Sequence, residues 1–124
     1  MNFVHLFADL GGIPGDRLGD PQALSGLLLA AANAAGLNPA DPPSVRSGTT
    51  GTTALLVCRG GHVALHAIPE DGVCFADVAG LGAVQPQRGL DVIIKRLGAK
   101  EVRMDSRNVA SAVFSTTPRP RSPG

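Results

Sequence analysis

The sequence predicts an α+β fold, a two-layer sandwich in which one antiparallel sheet carries two helices on one face. Apolar residues recur at helical spacing after residue 20 and again after residue 86. Between these two segments, residues 44–78 change to a period of two, which is typical of strands. Turn signals divide that region into consecutive strands, as in an antiparallel meander. The predicted element order is β-α-(β)-β-β-β-α-β.

The first strand and the first helix have the clearest local signals. Residues 3–10 are densely apolar and end at two glycines, which predicts a buried strand. Asp20 suits an N-cap, Pro21 suits the first helical position, and Gly36 suits a left-handed C-cap. The apolar stripe between these ends consists of Leu24, Leu27, Leu28 and Ala31.

The central region predicts three consecutive strands at residues 52–58, 62–68 and 73–78. Gly60 and Gly61 join the first two, and we expect both to take positive φ in a tight turn. Apolar residues occupy both alternating sets of positions, so we expect both faces of the sheet to be covered. A second copy of the chain is the simplest cover, which predicts a sheet-to-sheet dimer.

A second helix and an edge strand complete the predicted domain. The helix spans about residues 86–97, with Lys95 and Arg96 in its last turn and Gly98 at its end. Residues 101–105 then alternate apolar and charged side chains, as an edge strand does. The predicted domain is therefore residues 1–107.

The remaining segment, residues 108–124, predicts a mobile tail. It contains arginine, serine and proline but no acidic residue, and it has too few apolar side chains to order itself. We interpret it as a solvated end, with contact to an acidic partner as the alternative.

Composition excludes several classes of function. The 124 residues carry 11 Lys+Arg against 10 Asp+Glu, a net charge of +1, with 4 Phe and no Trp or Tyr. Without a basic stripe or stacking rings we expect no nucleic-acid binding. No apolar run approaches the ~20 residues of a membrane span, and the first residues do not resemble a signal peptide. The 2 cysteines form no disulfide framework, so we expect a cytoplasmic protein.

Two sets of side chains have residue types that can bind a metal ion or act in catalysis. His62, His66 and Glu70 have a spacing that binds zinc on a helix. Their flanking glycines and proline favour a strand instead, where four residues span about 13 Å, too far for one ion. We therefore predict no metal site. Cys58 and Cys74 are interpreted as small buried hydrophobes, with a redox pair or a nucleophile as the alternatives.

Residues 61–70, Gly-His-Val-Ala-Leu-His-Ala-Ile-Pro-Glu, resemble the Ser-His-x-x-x-His-Thr-Trp-Pro-Glu run of the small prokaryotic S-adenosylmethionine decarboxylases. Residues 5–10, 49–54, 77–82 and 97–100 are similar to further segments of that family, in the same order. The resemblance implies the family's two-layer fold, which dimerises sheet to sheet. It also implies a link to spermidine synthesis.

That family carries a pyruvoyl group made from its own chain. A serine hydroxyl attacks the preceding carbonyl, the ester undergoes β-elimination, and the dehydroalanine hydrolyses to a ketone. The ketone forms a Schiff base with the substrate amine and accepts the electrons released as CO₂ leaves. Every step before the ketone requires a β-carbon that bears a leaving oxygen.

The family's Glu-Ser cleavage pair aligns with Gly60 and Gly61, so the resemblance implies that no pyruvoyl cofactor forms at Gly61. The family's proton-donating cysteine falls on Leu81, and its processing serine falls on Thr53. An adenine-stacking aromatic falls on Ser47.

Three positions keep the family's character and are the candidate ligand-binding residues. They are His66, which assists the elimination in the family, Glu70, and Asp9, which is a conservative match to the family's acidic residue. We expect the cleft that corresponds to the family's active site to hold a polyamine or a nucleoside.

Three functions follow from these residues. The first is a non-catalytic relative that binds or regulates, as a homodimer or as a heterodimer with an active paralogue. The second is an active S-adenosylmethionine decarboxylase-type lyase whose electron sink comes from a partner chain. The third is an unrelated α+β binding domain, which helices on opposite faces of the sheet would favour. We lean towards a protein that is not an enzyme, because covalent catalysis needs the missing carbonyl.

Overall fold

The computed structural model describes residues 1–114. Its strands are β1 Asn2–Gly11, β2 Ser44–Gly48, β3 Gly51–Cys58, β4 Gly61–Ile68, β5 Val73–Leu81 and β6 Glu101–Ala110. They form one six-stranded sheet in the order β2-β3-β4-β5-β1-β6, in which all neighbours are antiparallel. The helices are α1 Pro21–Ala35 and α2 Pro86–Leu97, and short 3₁₀ turns lie at Gly15–Arg17 and Pro69–Asp71. The predicted fold class and element order are confirmed.

α1 begins and ends where its capping residues predict, and α2 ends where Gly98 predicts. The Asp20 carboxylate accepts a hydrogen bond from the backbone N–H of Gln22 at 3.0 Å, which satisfies a free donor of the first turn of α1. Gly36 has φ +79° after α1, and Gly98 has φ +68° after α2. These left-handed residues close the last turns at little steric cost, because glycine has no β-carbon.

The core lies between the helices and one face of the sheet. Alternate residues of the four central strands are buried there against the apolar stripes of α1 and α2. The sheet contributes Leu6, Ala8, Leu10, Ala54, Leu56, Val63, Leu65, Ala76 and Val78. α1 and α2 also pack against each other at Gly89, where an added β-carbon would lie 2.8 Å from the Ala31 carbonyl oxygen.

The outer face of the sheet is also rich in apolar side chains. Large side chains that are more than a third exposed include Phe3, Phe7, Leu55, Val57, Phe75 and Leu81. Their positions alternate along the strands with the buried residues, so they point away from both helices. We call this surface the outer face.

The β3–β4 turn differs from the prediction. Cys58 pairs with Gly61, so the turn consists of Arg59 and Gly60. Of the two glycines only Gly60 has positive φ, at +71°. Gly61 is the first residue of β4 and also pairs with Gly80 of β5. Pairing on both sides holds it in the sheet, and this long-range constraint overrides the local turn signal.

The last strand is longer than predicted. β6 continues past residue 105 to Ala110, which pairs with Asn2 of β1. Residues 108–110 therefore belong to the sheet, and the predicted boundary after residue 107 is too early. Backbone hydrogen bonds to β1 order this polar segment, although it buries little. Residues 115–124 of the predicted tail lie outside the described part of the chain. Within that part, neither helix has the length and apolarity to cross a membrane.

Candidate functional site

A cavity of about 540 Å³, which we call the main cavity, lies on the outer face across β1, β3, β4 and β5. Its walls include the rings of Phe7 and Phe75. Its polar lining consists of His5, Asp9, Thr53, His66 and Asp77. An open, partly apolar depression with a few converging polar groups is the usual form of a small-molecule site.

His66 is held by two hydrogen bonds at one side of this cavity. Its Nε2–H donates to the backbone carbonyl of Thr50 at 2.9 Å. Because a carbonyl only accepts, this bond fixes the proton on Nε2 and leaves Nδ1 as an acceptor. The Thr53 hydroxyl donates to Nδ1 at 2.6 Å. A hydroxyl, a base and a group that orients the base form the arrangement that can activate an oxygen nucleophile.

A second cluster lies on the neighbouring strands. His5 Nε2 is 2.5 Å from Asp77 Oδ1, and His62 Nε2 is 3.6 Å from Asp77 Oδ2. The two imidazoles therefore approach one carboxylate from either side. These three residues come from separate segments of the chain, so their spacing in the sequence does not group them.

Strand register explains both groupings. Thr53 and His66 are direct cross-strand partners in β3 and β4. His5 of β1 and His62 of β4 both pair with Ala79 of β5, two residues from Asp77 along β5. The one signal in the sequence that bears on these contacts is the predicted meander, which pairs β3 with β4 but leaves the position of β1 open.

The cleavage positions lie away from this cavity. Gly61 pairs with Gly80, and the Leu81 N–H donates to the Gly60 carbonyl at 2.8 Å, so these positions meet at one end of the sheet. His66 lies five positions after Gly61 in β4, a distance of about 16 Å along an extended strand. One chain therefore does not bring the predicted cleavage position and His66 together.

Gly61 has no space for a side chain. A β-carbon built there would lie 2.3 Å from the Ala79 carbonyl oxygen and 2.8 Å from Gly80 Cα. It would also lie 2.9 Å from Leu37 Cδ2. Two of these neighbours are backbone atoms, so a side chain would require the strands to move.

Of the three candidate ligand-binding residues, Asp9 and His66 line the main cavity and Glu70 does not. Glu70 lies on the 3₁₀ turn after β4 and lines a separate cavity of about 200 Å³ with Thr49 and Pro69. Ser47, at the predicted stacking position, is hydrogen bonded at 2.9 Å to the buried Thr52 hydroxyl and does not line the main cavity.

Both cysteines are buried and free, as interpreted from the sequence. Burial raises the pKa of Cys74 to about 12, and a backbone hydrogen bond from His66 opposes this only in part. Burial also raises the pKa of Cys58. Because the thiolate is the reactive form, neither residue is suited to act as a nucleophile.

Comparison with known proteins identifies one family. The family model described as S-adenosylmethionine decarboxylase matches residues 4–108. The S-adenosylmethionine decarboxylase proenzyme of Aquifex aeolicus strain VF5 is 27% identical over 100 residues, which cover 80% of this chain and 74% of the relative. The crystal structure of the adenosylmethionine decarboxylase from the same strain superposes with a TM-score of 0.75 at 26% identity. The superposition covers 85% of this chain and 88% of the Aquifex aeolicus chain.

Proposed function

Because the chain belongs to the S-adenosylmethionine decarboxylase family, we propose that it is a non-catalytic member of that family, a cytoplasmic binding or regulatory protein of polyamine biosynthesis. The family match rules out an unrelated α+β domain. The observation that carries the proposal is Gly61, which stands where the family's pyruvoyl-forming serine aligns.

The chemistry of maturation explains why this position is decisive. A glycine has no hydroxyl to attack the preceding carbonyl and no β-carbon from which a leaving group could be eliminated. The close approach of the Ala79 carbonyl and Gly80 to Gly61 supports the proposed loss of maturation, since these backbone atoms leave no space for a side chain at residue 61. Leu81 likewise has no proton to donate where the family has a cysteine.

The outer face supports a dimer as the working form. Its exposed aromatic and aliphatic side chains are an apolar surface of the kind that marks an interface. In a two-fold pairing of outer faces, Thr53 and His66 of one copy would face its partner, because both lie on the outer face. In a heterodimer with an active paralogue, this chain would then present Thr53 and His66 to the paralogue.

The main cavity is the proposed ligand site. Asp9 and Asp77 offer carboxylates to the ammonium groups of a polyamine, and the rings of Phe7 and Phe75 add apolar and cation–π contacts. A nucleoside would use the same rings for stacking. A ligand that binds only the folded state stabilises it by about 2.7 kcal/mol at 100 times its Kd. A thermal-shift screen of S-adenosylmethionine, its decarboxylated form, putrescine and spermidine therefore tests this site.

Intact mass spectrometry tests the loss of maturation. We expect one uncut chain of 12.6 kDa that does not react with a carbonyl-trapping reagent. Two fragments divided between Gly60 and Gly61, with a blocked new N-terminus, would overturn the proposal. The Thr53→Val variant is the matched control, because any fragment that persists without this hydroxyl reflects proteolysis and not self-processing.

The alternative function is an active lyase whose electron sink comes from a partner chain. The hydrogen bond from Thr53 to His66 favours it, because a hydroxyl paired with an imidazole can activate an oxygen nucleophile. Release of labelled CO₂ from S-adenosylmethionine decides between the two functions. The assay is run on the chain alone, on an active paralogue alone, and on both after co-expression. We expect no release from the chain alone and no more release from the co-expressed pair than from the paralogue alone. Release from the pair above that of the paralogue alone would support the alternative, and release from the chain alone would overturn the proposed loss of activity.

A further inference from the structure

We propose that His5, His62 and Asp77 form a binding site for one divalent transition-metal ion of the zinc type on the outer face. The three side chains come from β1, β4 and β5, which are adjacent in the sheet. Their metal-ligating atoms lie within 4.8 Å of one another. This grouping is independent of Gly61 and of the proposed loss of decarboxylation.

The rigid part of the site is the sheet itself. His5 and His62 flank Ala79 as its two cross-strand partners, and Asp77 projects from the same face of β5. The imidazole centroids are 6.3 Å apart with a 68° angle between the rings, and both rings direct Nε2 towards the Asp77 carboxylate. Ligands anchored on three paired strands are well positioned before an ion arrives.

The distances are close to those of a metal centre. Zinc lies about 2.0–2.2 Å from nitrogen and oxygen ligands, so tetrahedral ligand atoms are about 3.3–3.6 Å apart. The distance of 3.6 Å between His62 Nε2 and Asp77 Oδ2 lies at the upper end of this range. The distance between His5 Nε2 and Asp77 Oδ1 is 2.5 Å and must increase by about 1 Å to hold an ion.

The type of ligand selects the type of ion. Two imidazoles and one carboxylate suit zinc, cobalt, nickel and copper, whereas magnesium and calcium prefer oxygen ligands. In the single chain the imidazoles of His5 and His62 are each 37% exposed and Asp77 is 33% exposed, so an ion can bind before two outer faces pair. Three protein ligands leave at least one coordination position for water or a bound molecule. His5 and Asp77 line the main cavity, so that position adjoins it.

Titration of the untagged, full-length protein with Zn²⁺ tests the site directly. After dialysis against a chelator, isothermal calorimetry is expected to show one saturable ion per chain, and Mg²⁺ is expected to show none. His62→Ala and His5→Ala are each expected to lower the Zn²⁺ affinity at least about tenfold. His66→Ala is the matched control, because it removes the third of the 3 histidines without touching these ligands, and its affinity should stay unchanged.

Cobalt provides a readout that distinguishes ligation from a folding defect. Co²⁺ bound to the wild-type chain is expected to give visible d–d absorption, which His62→Ala loses. The His62→Cys variant is expected to retain an ion and to add a thiolate charge-transfer band, because sulfur then binds the metal. Absence of saturable Zn²⁺ binding in the wild type would overturn the proposal, and so would an equal loss of affinity in His66→Ala.

Discussion

At the scale of single residues, Gly61 supports the proposed loss of decarboxylation in two ways. It lacks the atoms from which a pyruvoyl group is made, and the surrounding backbone occupies the space of a side chain. The missing hydroxyl could be predicted from the sequence through the family resemblance. The missing space could not, because it depends on the positions of Ala79 and Gly80 in another strand.

The Gly61→Ser variant tests whether the loss is reversible. We expect an uncut chain, because the new β-carbon meets the Ala79 carbonyl oxygen at 2.3 Å and β4 must shift to relieve it. Overpacking of this kind costs about 1–3 kcal/mol, which chemical denaturation measures. Intact mass spectrometry reports processing in the same sample. Self-cleavage of Gly61→Ser at wild-type stability would contradict the expectation.

Cys74 predicts a specific loss of stability at high pH. Its pKa of about 12 in the folded chain lies above the ordinary value of 9.0, because burial disfavours the thiolate. The folded state therefore holds a proton that the unfolded state releases. This contribution to stability is fully present below pH 9.0 and is lost as pH rises towards 12, at about 1 kcal/mol per pH unit.

The Cys74→Ala variant isolates that contribution. It is expected to be less stable than the wild type near neutral pH, because it lacks the packing contacts of the buried sulfur atom. The difference in the free energy of unfolding should narrow between about pH 8 and about pH 10.5, because only the wild type has this thiol to titrate. Urea denaturation at both pH values measures the difference. If the difference in the free energy of unfolding between the wild type and Cys74→Ala stayed constant with pH, Cys74 would not titrate as described.

At the scale of elements, local signals predicted the helices and their ends well. Asp20, Gly36 and Gly98 act on backbone groups close to them in sequence, so their roles are visible without the fold. The β3–β4 turn and the end of β6 were predicted less well for the opposite reason. Gly61 and Ala110 take their conformations from pairing with Gly80 and Asn2, which are distant in sequence.

The contact between α1 and α2 provides a test in which two glycines respond in opposite directions. At Gly89 of α2 a β-carbon would lie 2.8 Å from the Ala31 carbonyl oxygen and 3.1 Å from Ala35 Cβ. We expect Gly89→Ala to lower the free energy of unfolding by about 1–3 kcal/mol, because the helices must separate. Thermal or urea denaturation measures the change.

Gly26 of α1 is the matched control for Gly89. It lies inside a helix as Gly89 does, but nothing lies within 4 Å of an added β-carbon. Gly26→Ala is therefore expected to raise stability by about 0.5–1 kcal/mol through helix propensity alone. If Gly89→Ala stabilised the protein equally, close packing of the two helices would not limit that position.

At the scale of the whole molecule, the register of the sheet assembles the site. The candidate residues Asp9, Thr53 and His66 could be named from the sequence, and the structure brings them to one cavity. The cluster of His5, His62 and Asp77 could not, because it needs β1 to lie next to β5. Along the chain, the neighbours of His62 that could share a metal ion with it are His66 and Glu70. Antiparallel pairing gave His62 a different set of partners.

The proposed sheet-to-sheet dimer makes a prediction that a pair of surface variants can test. Phe75 is 45% exposed on the outer face, and Leu29 is 42% exposed on α1, on the other side of the molecule. The two positions are matched in exposure and differ in the surface they belong to. We expect the wild type to sediment at twice the 12.6 kDa chain mass. Phe75→Arg should sediment as a monomer, because an interface of apolar side chains does not accommodate an unpaired charge.

Leu29→Arg should remain a dimer, since α1 does not take part in the proposed interface. Both substitutions replace side chains that already contact water, so circular dichroism should report an unchanged fold for each. Dissociation of Leu29→Arg together with persistence of the Phe75→Arg dimer would place the interface on the helices. The outer face would then be open to solvent, and Thr53 and His66 of one copy would not face its partner. The oligomeric state therefore decides whether this chain can complete a partner's site or acts only through its own cavity.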